Sequence, residues 1–192
     1  MHAPQAVVDF WFLPADHPGH GKPRREWFRK DAEFDELIRR EFGGEIDTAL
    51  AGGLAEWRAT TVGLLAYIVV LDQFTRNIYR DTPRAFAGDA LALAAADEAL
   101  TRGADQALSP LQRWFVYMPF EHAEDPAAQQ RSVALFTALA QGAPDFDAAL
   151  DYARRHRDVI ARFGRFPHRN ALLGRTSTAE EAEFLRQPGS SF

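Results

Sequence analysis

Apolar residues recur every three or four positions along most of the chain, and the alternation typical of strands is missing. Alanine is abundant inside these segments, which favours helices. The longest apolar run, Val62 to Leu71, predicts a buried core helix, because a membrane span needs about 20 residues. The pattern predicts eight helices and a short final one, near 4–12, 24–42, 44–52, 58–78, 88–102, 110–118, 126–141, 145–163 and 179–187.

Capping residues and glycines set these boundaries. Helix starts are indicated by a capping residue before proline at Thr82-Pro83, Ser109-Pro110 and Asp125-Pro126. Capping-box spacing joins Ser109 to Gln112 and Thr178 to Glu181. Helix ends are predicted at Gly43-Gly44, Gly52-Gly53, Gly103, Gly142 and Gly164. Pro119 is expected to end or kink its helix after Met118.

The predicted fold class is all-α. Short connections indicate that successive helices pack as antiparallel neighbours, and no interdomain linker interrupts residues 1–192, which predicts a single domain. The closely spaced alanines between Ala85 and Ala99 would let helices approach each other, as in tetratricopeptide-like stacks.

Composition and charge narrow the class of protein. The chain has no cysteine, which excludes disulfides, thiolate metal sites and a cysteine nucleophile. Its net charge of −5 argues against nucleic acid as a partner. The N-terminus lacks the features of a secretory signal, so we expect a cytoplasmic protein without a membrane partner. Six arginines lie between Arg154 and Arg169 with a single acid, Asp158. Either acidic neighbours in the fold neutralise them, or they form an anion site.

Polar residues interrupt the apolar pattern first at the end of the core helix. Asp72 and Arg76 are four residues apart and share one helical face, beside Gln73 and Asn77. Buried charges need partners, so an Asp72–Arg76 ion pair that ties helices together is one interpretation. The alternative is that these groups line a cavity and orient a ligand.

A second polar cluster follows the aromatic segment that begins at Trp114. His122 lies between Glu121 and Glu124, an arrangement that suits a general base oriented by an acid. The dipole of the next helix, capped by Asp125, explains the acids in part but does not explain His122.

The third segment, residues 163–170, reads Phe-Gly-Arg-Phe-Pro-His-Arg-Asn. Arginines such as Arg165 and Arg169 are natural partners for carboxylate or phosphate, and His168 and Asn170 add directed hydrogen bonds. The preceding helix carries His156 on its apolar face. His122, His156 and His168 would form a metal site only if the fold brought them together. Nucleotide-binding, zinc-protease and serine-hydrolase motifs are absent from the sequence.

These segments resemble the bacterial family called domain of unknown function 924. The resemblance rests on residues 71–80, on Tyr117-Met118-Pro119 with Glu124-Asp125, on residues 163–170, and on 174–178 with Glu180-Glu181. Family members often have Pro-Leu-Met-His-Ser-Glu where this chain has Pro-Phe-Glu-His-Ala-Glu at 119–124, so a hydroxyl nucleophile at Ala123 is excluded. The resemblance implies a tetratricopeptide-like, right-handed stack of helices and implies no activity.

Three hypotheses for function follow. The first is a polar–aromatic pocket that binds a small anionic ligand or an acidic peptide terminus; its residues would be Asp72, Arg76, Asn77, Trp114, Arg165, Phe166, His168, Arg169 and Asn170. The second is a hydrolase with His122 as general base, oriented by Glu121 or Glu124, with His156 or His168 added in a metal-assisted version. The third is a protein-interaction module with a concave helical surface. The sequence identifies no cofactor and no oligomeric state.

Overall fold

A computed structural model describes residues 1–190, with Pro144 described by its backbone alone. These residues contain helices and no strand, which confirms the all-α prediction. The α-helices are α1 Pro4–Phe12, α2 Ala32–Leu50, α3 Thr61–Ile68, α4 Thr75–Ile78, α5 Asp89–Thr101, α6 Pro110–His122, α7 Pro126–Gly142, α8 Asp147–Phe163 and α9 Ala179–Phe184. A π-helical segment, Val69–Phe74, joins α3 to α4 without a break. Short 3₁₀ helices occupy Arg25–Trp27, Ala55–Ala59, Pro83–Phe86, Ala104–Ala107, Pro144–Phe146 and Pro167–Arg169.

Side-chain caps fix several of the helix starts. Both predicted capping boxes are present, at Ser109 before α6 and at Thr178 before α9. The Asp125 carboxylate accepts a hydrogen bond from the Ala128 N–H at the start of α7. Thr82 differs, because it precedes a 3₁₀ turn and its hydroxyl donates to the Tyr79 carbonyl instead.

Two predicted helix ends are wrong. Helix α2 continues through Gly43-Gly44, so the predicted helices 24–42 and 44–52 are replaced by one helix over 32–50. Its buried residues Phe34, Ile38, Phe42, Ile46 and Ala49 keep helical spacing across the glycines. The burial of this continuous apolar stripe outweighs a helix-propensity cost of about 1 kcal/mol per glycine. Pro119 likewise lies inside α6, which runs on to His122.

Helix α3 and the π-helical segment form the centre of the fold. Residues 63–75 are all buried, and the apolar rows of α1, α2, α5 and α6 pack around them. An aromatic cluster of Trp11, Trp27, Phe74 and Phe115 joins α1 to α6 across this centre. Helices α6, α7 and α8 then pack on one another through short connections, as antiparallel neighbours should.

The π-helical segment is held by two local contacts. The Thr75 hydroxyl donates a 2.7 Å hydrogen bond to the Leu71 carbonyl. Gly88 packs its backbone directly on that carbonyl, where an added Cβ would lie 2.2 Å from the oxygen. Gly88 is the N-cap residue directly before α5, so this close approach brings Asp89 towards the end of the core helix. Single π-helical turns within α-helices occur often at functional sites.

No helix within residues 1–190 has the length and apolar character to cross a bilayer. A right-handed tetratricopeptide-like superhelix stays a prediction, as does the single domain over 1–192.

Candidate functional site

A cavity of about 800 Å³ opens between α6, α8, the end of the core helix and the 3₁₀ turn at 167–169. Its volume lies in the range of small-molecule sites. Each of the three polar segments contributes lining residues, so the fold brings them together. These residues are Gln73, Arg76, Asn77, Glu121, His122, His168 and Arg169.

An Asp–His pair lies at the inner end of the cavity. Asp72 is completely buried, and its Oδ1 is 2.7 Å from His122 Nδ1. Gln73 Nε2 donates to the other carboxylate oxygen at 2.6 Å, and Arg76 Nη1 lies 3.3 Å from Oδ1. An ionised carboxylate only accepts hydrogen bonds, so His122 donates through Nδ1–H and keeps Nε2 as an acceptor. The carboxylate that contacts His122 is therefore Asp72, and neither of the two predicted glutamates occupies that position.

Opposing effects set the ionisation of this pair. Burial works to raise the pKa of Asp72, but Arg76, His122 and Gln73 outweigh it and hold that pKa well below its usual range. Burial, with Arg76 nearby, lowers the pKa of His122 although Asp72 opposes this. At neutral pH the pair consists of a carboxylate and a neutral imidazole, the form required of a general base.

Glu121 forms a second titratable pair. The residue is 5% exposed, and its Oε1 is 3.1 Å from Nδ1 of the buried His156. Burial, with the charge of Asp72, raises the pKa of Glu121 to about 8. Burial, with His122 next in importance, lowers the pKa of His156 to about 3. Glu121 is therefore a neutral acid at pH 7 and faces the same cavity as His122.

Two of the three cavity arginines, Arg76 and Arg169, share one acid that sequence analysis did not identify. Asp89 lies 2.9 Å from Arg76 and 3.2 Å from Arg169. The Arg169 guanidinium also lies 4.6 Å from the ring centroids of both Phe86 and Phe166. Burial, with Arg76, lowers the pKa of Arg169 to about 10. Asp89 is an ordinary first-turn acid in the sequence, and only the packing of Gly88 on Leu71 brings it here.

Several predicted site residues do not line the cavity. Arg165 binds Glu181 at 2.6 and 2.8 Å, and Asn170 donates to Ser177 and to Glu181. Glu124 accepts hydrogen bonds from Arg175 and from the Phe166 N–H, which anchor the 163–170 segment to the α6–α7 turn. These contacts are structural rather than directed at a ligand.

The remaining predicted residues lie on the cavity wall or directly behind it. Asn77 lines it, but its amide donates to Asp35 at 2.7 Å. Trp114 forms part of the cavity wall, and its role in binding a ligand stays a prediction. Phe166 is completely buried behind the wall, with its ring 5.5 Å from His156 and 5.7 Å from His168. His168 lines the cavity, and burial with the charge of Arg169 lowers its pKa to about 4.

Five of the six arginines between Arg154 and Arg169 pair with acids, which agrees with the first of the two interpretations. Arg155, Arg157, Arg162, Arg165 and Arg169 each pair with an aspartate or glutamate. The three histidines of the metal hypothesis surround one cavity, with the His122 and His156 ring centroids 6.2 Å apart. Within residues 1–190, however, no three histidine, cysteine or acidic side chains are grouped so that they could hold a metal ion.

The chain is similar to a bacterial protein family. A profile described as "Bacterial protein of unknown function (DUF924)" matches residues 7–189, and the chain therefore belongs to this family. A solved structure of a protein of unknown function from Agrobacterium tumefaciens is similar, with a TM-score of 0.84 and 41% sequence identity. The match covers 95% of this chain and 96% of that one. No curated protein matches the chain.

Proposed function

We propose that this protein is a hydrolase for small acyl compounds, with His122 as general base and Glu121 as general acid. The observation that carries the proposal is the 2.7 Å contact between His122 Nδ1 and a fully buried Asp72, in a cavity large enough for a small molecule. A buried aspartate that orients a neutral histidine is the arrangement that general-base catalysis needs.

The chemical step uses water as the nucleophile. His122 Nε2 takes one proton from water while the water oxygen forms a bond to the substrate carbonyl carbon. The bond from that carbon to the leaving group breaks, and Glu121 gives its carboxyl proton to the leaving oxygen or nitrogen. The protonated His122 and ionised Glu121 return to their starting forms by proton exchange through solvent. Arg76 and Arg169 are the cationic donors in the cavity for the carbonyl oxygen as it gains charge.

The lining residues favour direct attack by water over a covalent intermediate. Among the lining residues of the described chain, none is a serine, threonine or cysteine. Lys30, the cavity's lysine, lies at the exposed rim in an ion pair with Asp81 at 3.3 Å. An activated side-chain nucleophile would need to lie beside His122, where the structure has Gln73, Met118 and Glu121.

The test is hydrolysis of nitrophenyl acetate and nitrophenyl butyrate by wild type, His122→Asn and Asp72→Asn. We expect His122→Asn to lower kcat by about a hundredfold or more. His20→Asn, which changes an exposed loop histidine, is the matched control and should leave the rate unchanged. Equal rates in wild type and His122→Asn would refute the proposal. The kcat/KM profile should be bell-shaped and should decline above about pH 8, as Glu121 loses its proton.

A second candidate is binding of a small anion without chemistry. It is favoured by two guanidinium groups, Arg76 and Arg169, in one cavity. Asp89 argues against this anion-binding candidate, because its carboxylate already compensates the positive charge of both arginines. A thermal-shift titration with inorganic phosphate and acetate separates the two candidates. At a hundred times the Kd, binding adds about 2.7 kcal/mol, and Arg169→Ala should remove that shift. The interaction-module hypothesis is less favoured, because polar side chains converge inside the cavity.

A further inference from the structure

Helices α6 and α8 present the same order of side chains to the cavity. On α6 the order is Trp114, Met118 and His122, each four residues from the next. On α8, Tyr152 precedes His156 by four residues. Four residues correspond to about 6 Å along a helix. Each helix therefore carries an aromatic ring towards the opening and a titratable ring towards the interior.

The opening has an aromatic mouth, formed by Phe28, Trp114 and Tyr152. Phe28 is 53% exposed and Tyr152 is 51% exposed, although both have large rings. Phe28 stacks on Trp114 with centroids 5.1 Å apart and planes at 26°. Trp114 also makes an edge contact with Phe146 at 5.5 Å. The mouth is continuous with the cavity, and the half-exposed rings of Phe28 and Tyr152 leave apolar surface for a further flat ring.

The charges around the cavity cancel in pairs. The cations are Lys30, Arg76, Arg80 and Arg169. Arg80 pairs with Asp35 and Lys30 with Asp81, while Asp72 and Asp89 compensate the two inner arginines. Four cations thus face four anions, and Glu121 is protonated at neutral pH. A charged ligand would find no unpaired charge in the cavity to interact with, so it would pay the cost of leaving water without compensation. An uncharged ligand does not meet this cost.

We propose that the substrate is an uncharged amide or ester with an aryl group about 6 to 12 Å from the reacting carbonyl. The aryl ring stacks in the aromatic mouth, and the connecting chain passes Met118. The carbonyl lies between His122 and Glu121. This inference rests on the proposed function for the identity of the reacting group, while the placement of the ring rests on the aromatic mouth alone.

The experiment measures binding by tryptophan fluorescence and calorimetry with four matched probes. Phenylbutanamide has the ring and the neutral amide; cyclohexylbutanamide replaces the flat ring, phenylbutanoate replaces the amide by a carboxylate, and butanamide lacks the ring. We expect phenylbutanamide to bind at least about fivefold more tightly than the other three. Phe28→Ala and Trp114→Ala should each weaken it by a similar factor. Phe163→Ala, which removes a half-buried ring outside the cavity, should have no effect.

The outcomes separate this inference from the proposed function. Binding of phenylbutanamide by the wild type, without hydrolysis of it or of the nitrophenyl esters, would overturn the hydrolase and leave the aryl site standing. Unchanged binding in both Phe28→Ala and Trp114→Ala would overturn the aryl site. Tighter binding of phenylbutanoate would overturn the uncharged class and support the anion candidate. Absence of binding by all four probes to the wild type would also overturn the inference.

Discussion

Replacing Glu121 by glutamine should make the protein less sensitive to alkaline pH. Glu121 is 5% exposed, and burial with the charge of Asp72 raises its pKa to about 8 from an ordinary value of 4.5. A carboxyl whose pKa is higher in the folded state binds its proton more tightly there than in the unfolded chain. The contribution of Glu121 to the free energy of unfolding is fully present below about pH 4.5 and is lost as the pH rises through about 8. Glutamine keeps the shape and has no proton to lose.

The size of the effect follows from the two pKa values. At pH 7 the unfolded glutamate is about 2.5 pH units above its pKa, while the folded residue is still mostly protonated. At about 1.4 kcal/mol per unit, wild type has lost roughly 3 kcal/mol of unfolding free energy relative to its acid form. We expect the stability of Glu121→Gln relative to wild type to rise by roughly 3 kcal/mol between pH 5 and pH 8.

The assay is urea unfolding followed by the fluorescence of the four tryptophans at several pH values from 5 to 8. Glu124→Gln is the matched control from the same end of α6. Burial opposes ionisation of Glu124, but hydrogen bonds from Arg175 and Phe166 outweigh it and lower its pKa. Its stabilising effect is present above about pH 4.5, so the Glu124→Gln difference should stay flat over this range. A flat difference for Glu121→Gln as well would refute the assignment of Glu121 as a buried neutral acid.

Three further predictions concern the scaffold of the site, each measured by thermal unfolding at pH 7. Gly43→Ala should raise stability by about 0.5–1 kcal/mol, because an added Cβ in the middle of α2 meets nothing within 4 Å; a loss would mean that the helix needs glycine there. Gly88→Ala should cost at least about 2 kcal/mol, because its Cβ would lie 2.2 Å from the Leu71 carbonyl; an unchanged Tm would contradict this packing. Gln129→Leu should cost about 2 kcal/mol, or roughly 4–8 °C in Tm, because its Nε2 donates to the Glu121 and Ala123 carbonyls at 2.6 and 2.8 Å; a neutral result would show that these carbonyls find other donors.

The sequence predicted the helices well where local chemistry determines them. The capping boxes at Ser109 and Thr178 involve neighbours in the chain, and both are present. The helix end predicted at Gly43-Gly44 is wrong because the apolar stripe on both sides of the glycines outweighs their low helix propensity. The all-α class and the family followed from patterns that span most of the chain.

The site was predictable as a set of segments but not as a set of partners. Asp72 and His122 are 50 positions apart, and nothing in their spacing distinguishes Asp72 from Glu121 as the orienting acid. The π-helical turn and Pro119 within α6 set which side chains face each other, and neither conformation has a reliable sequence signal. Arg165 shares its motif with Arg169, yet the chain turns between them and sends Arg165 to Glu181.

Some of the buried polar groups around the cavity are explained by the stability of the fold, and others are not. Asp72, Arg76, Asp89 and Arg169 form a closed set of ion pairs, and such a set is a sufficient reason for burying charge in a helical core. Glu121 and His156 are different, because burial pushes both towards the neutral form and no arginine or lysine pairs with Glu121 among the described residues. Two apolar side chains of the same size would cost the fold less. Their position on the cavity wall with His122 is what the proposed hydrolase would use, since hydrolysis requires a neutral acid together with a neutral base.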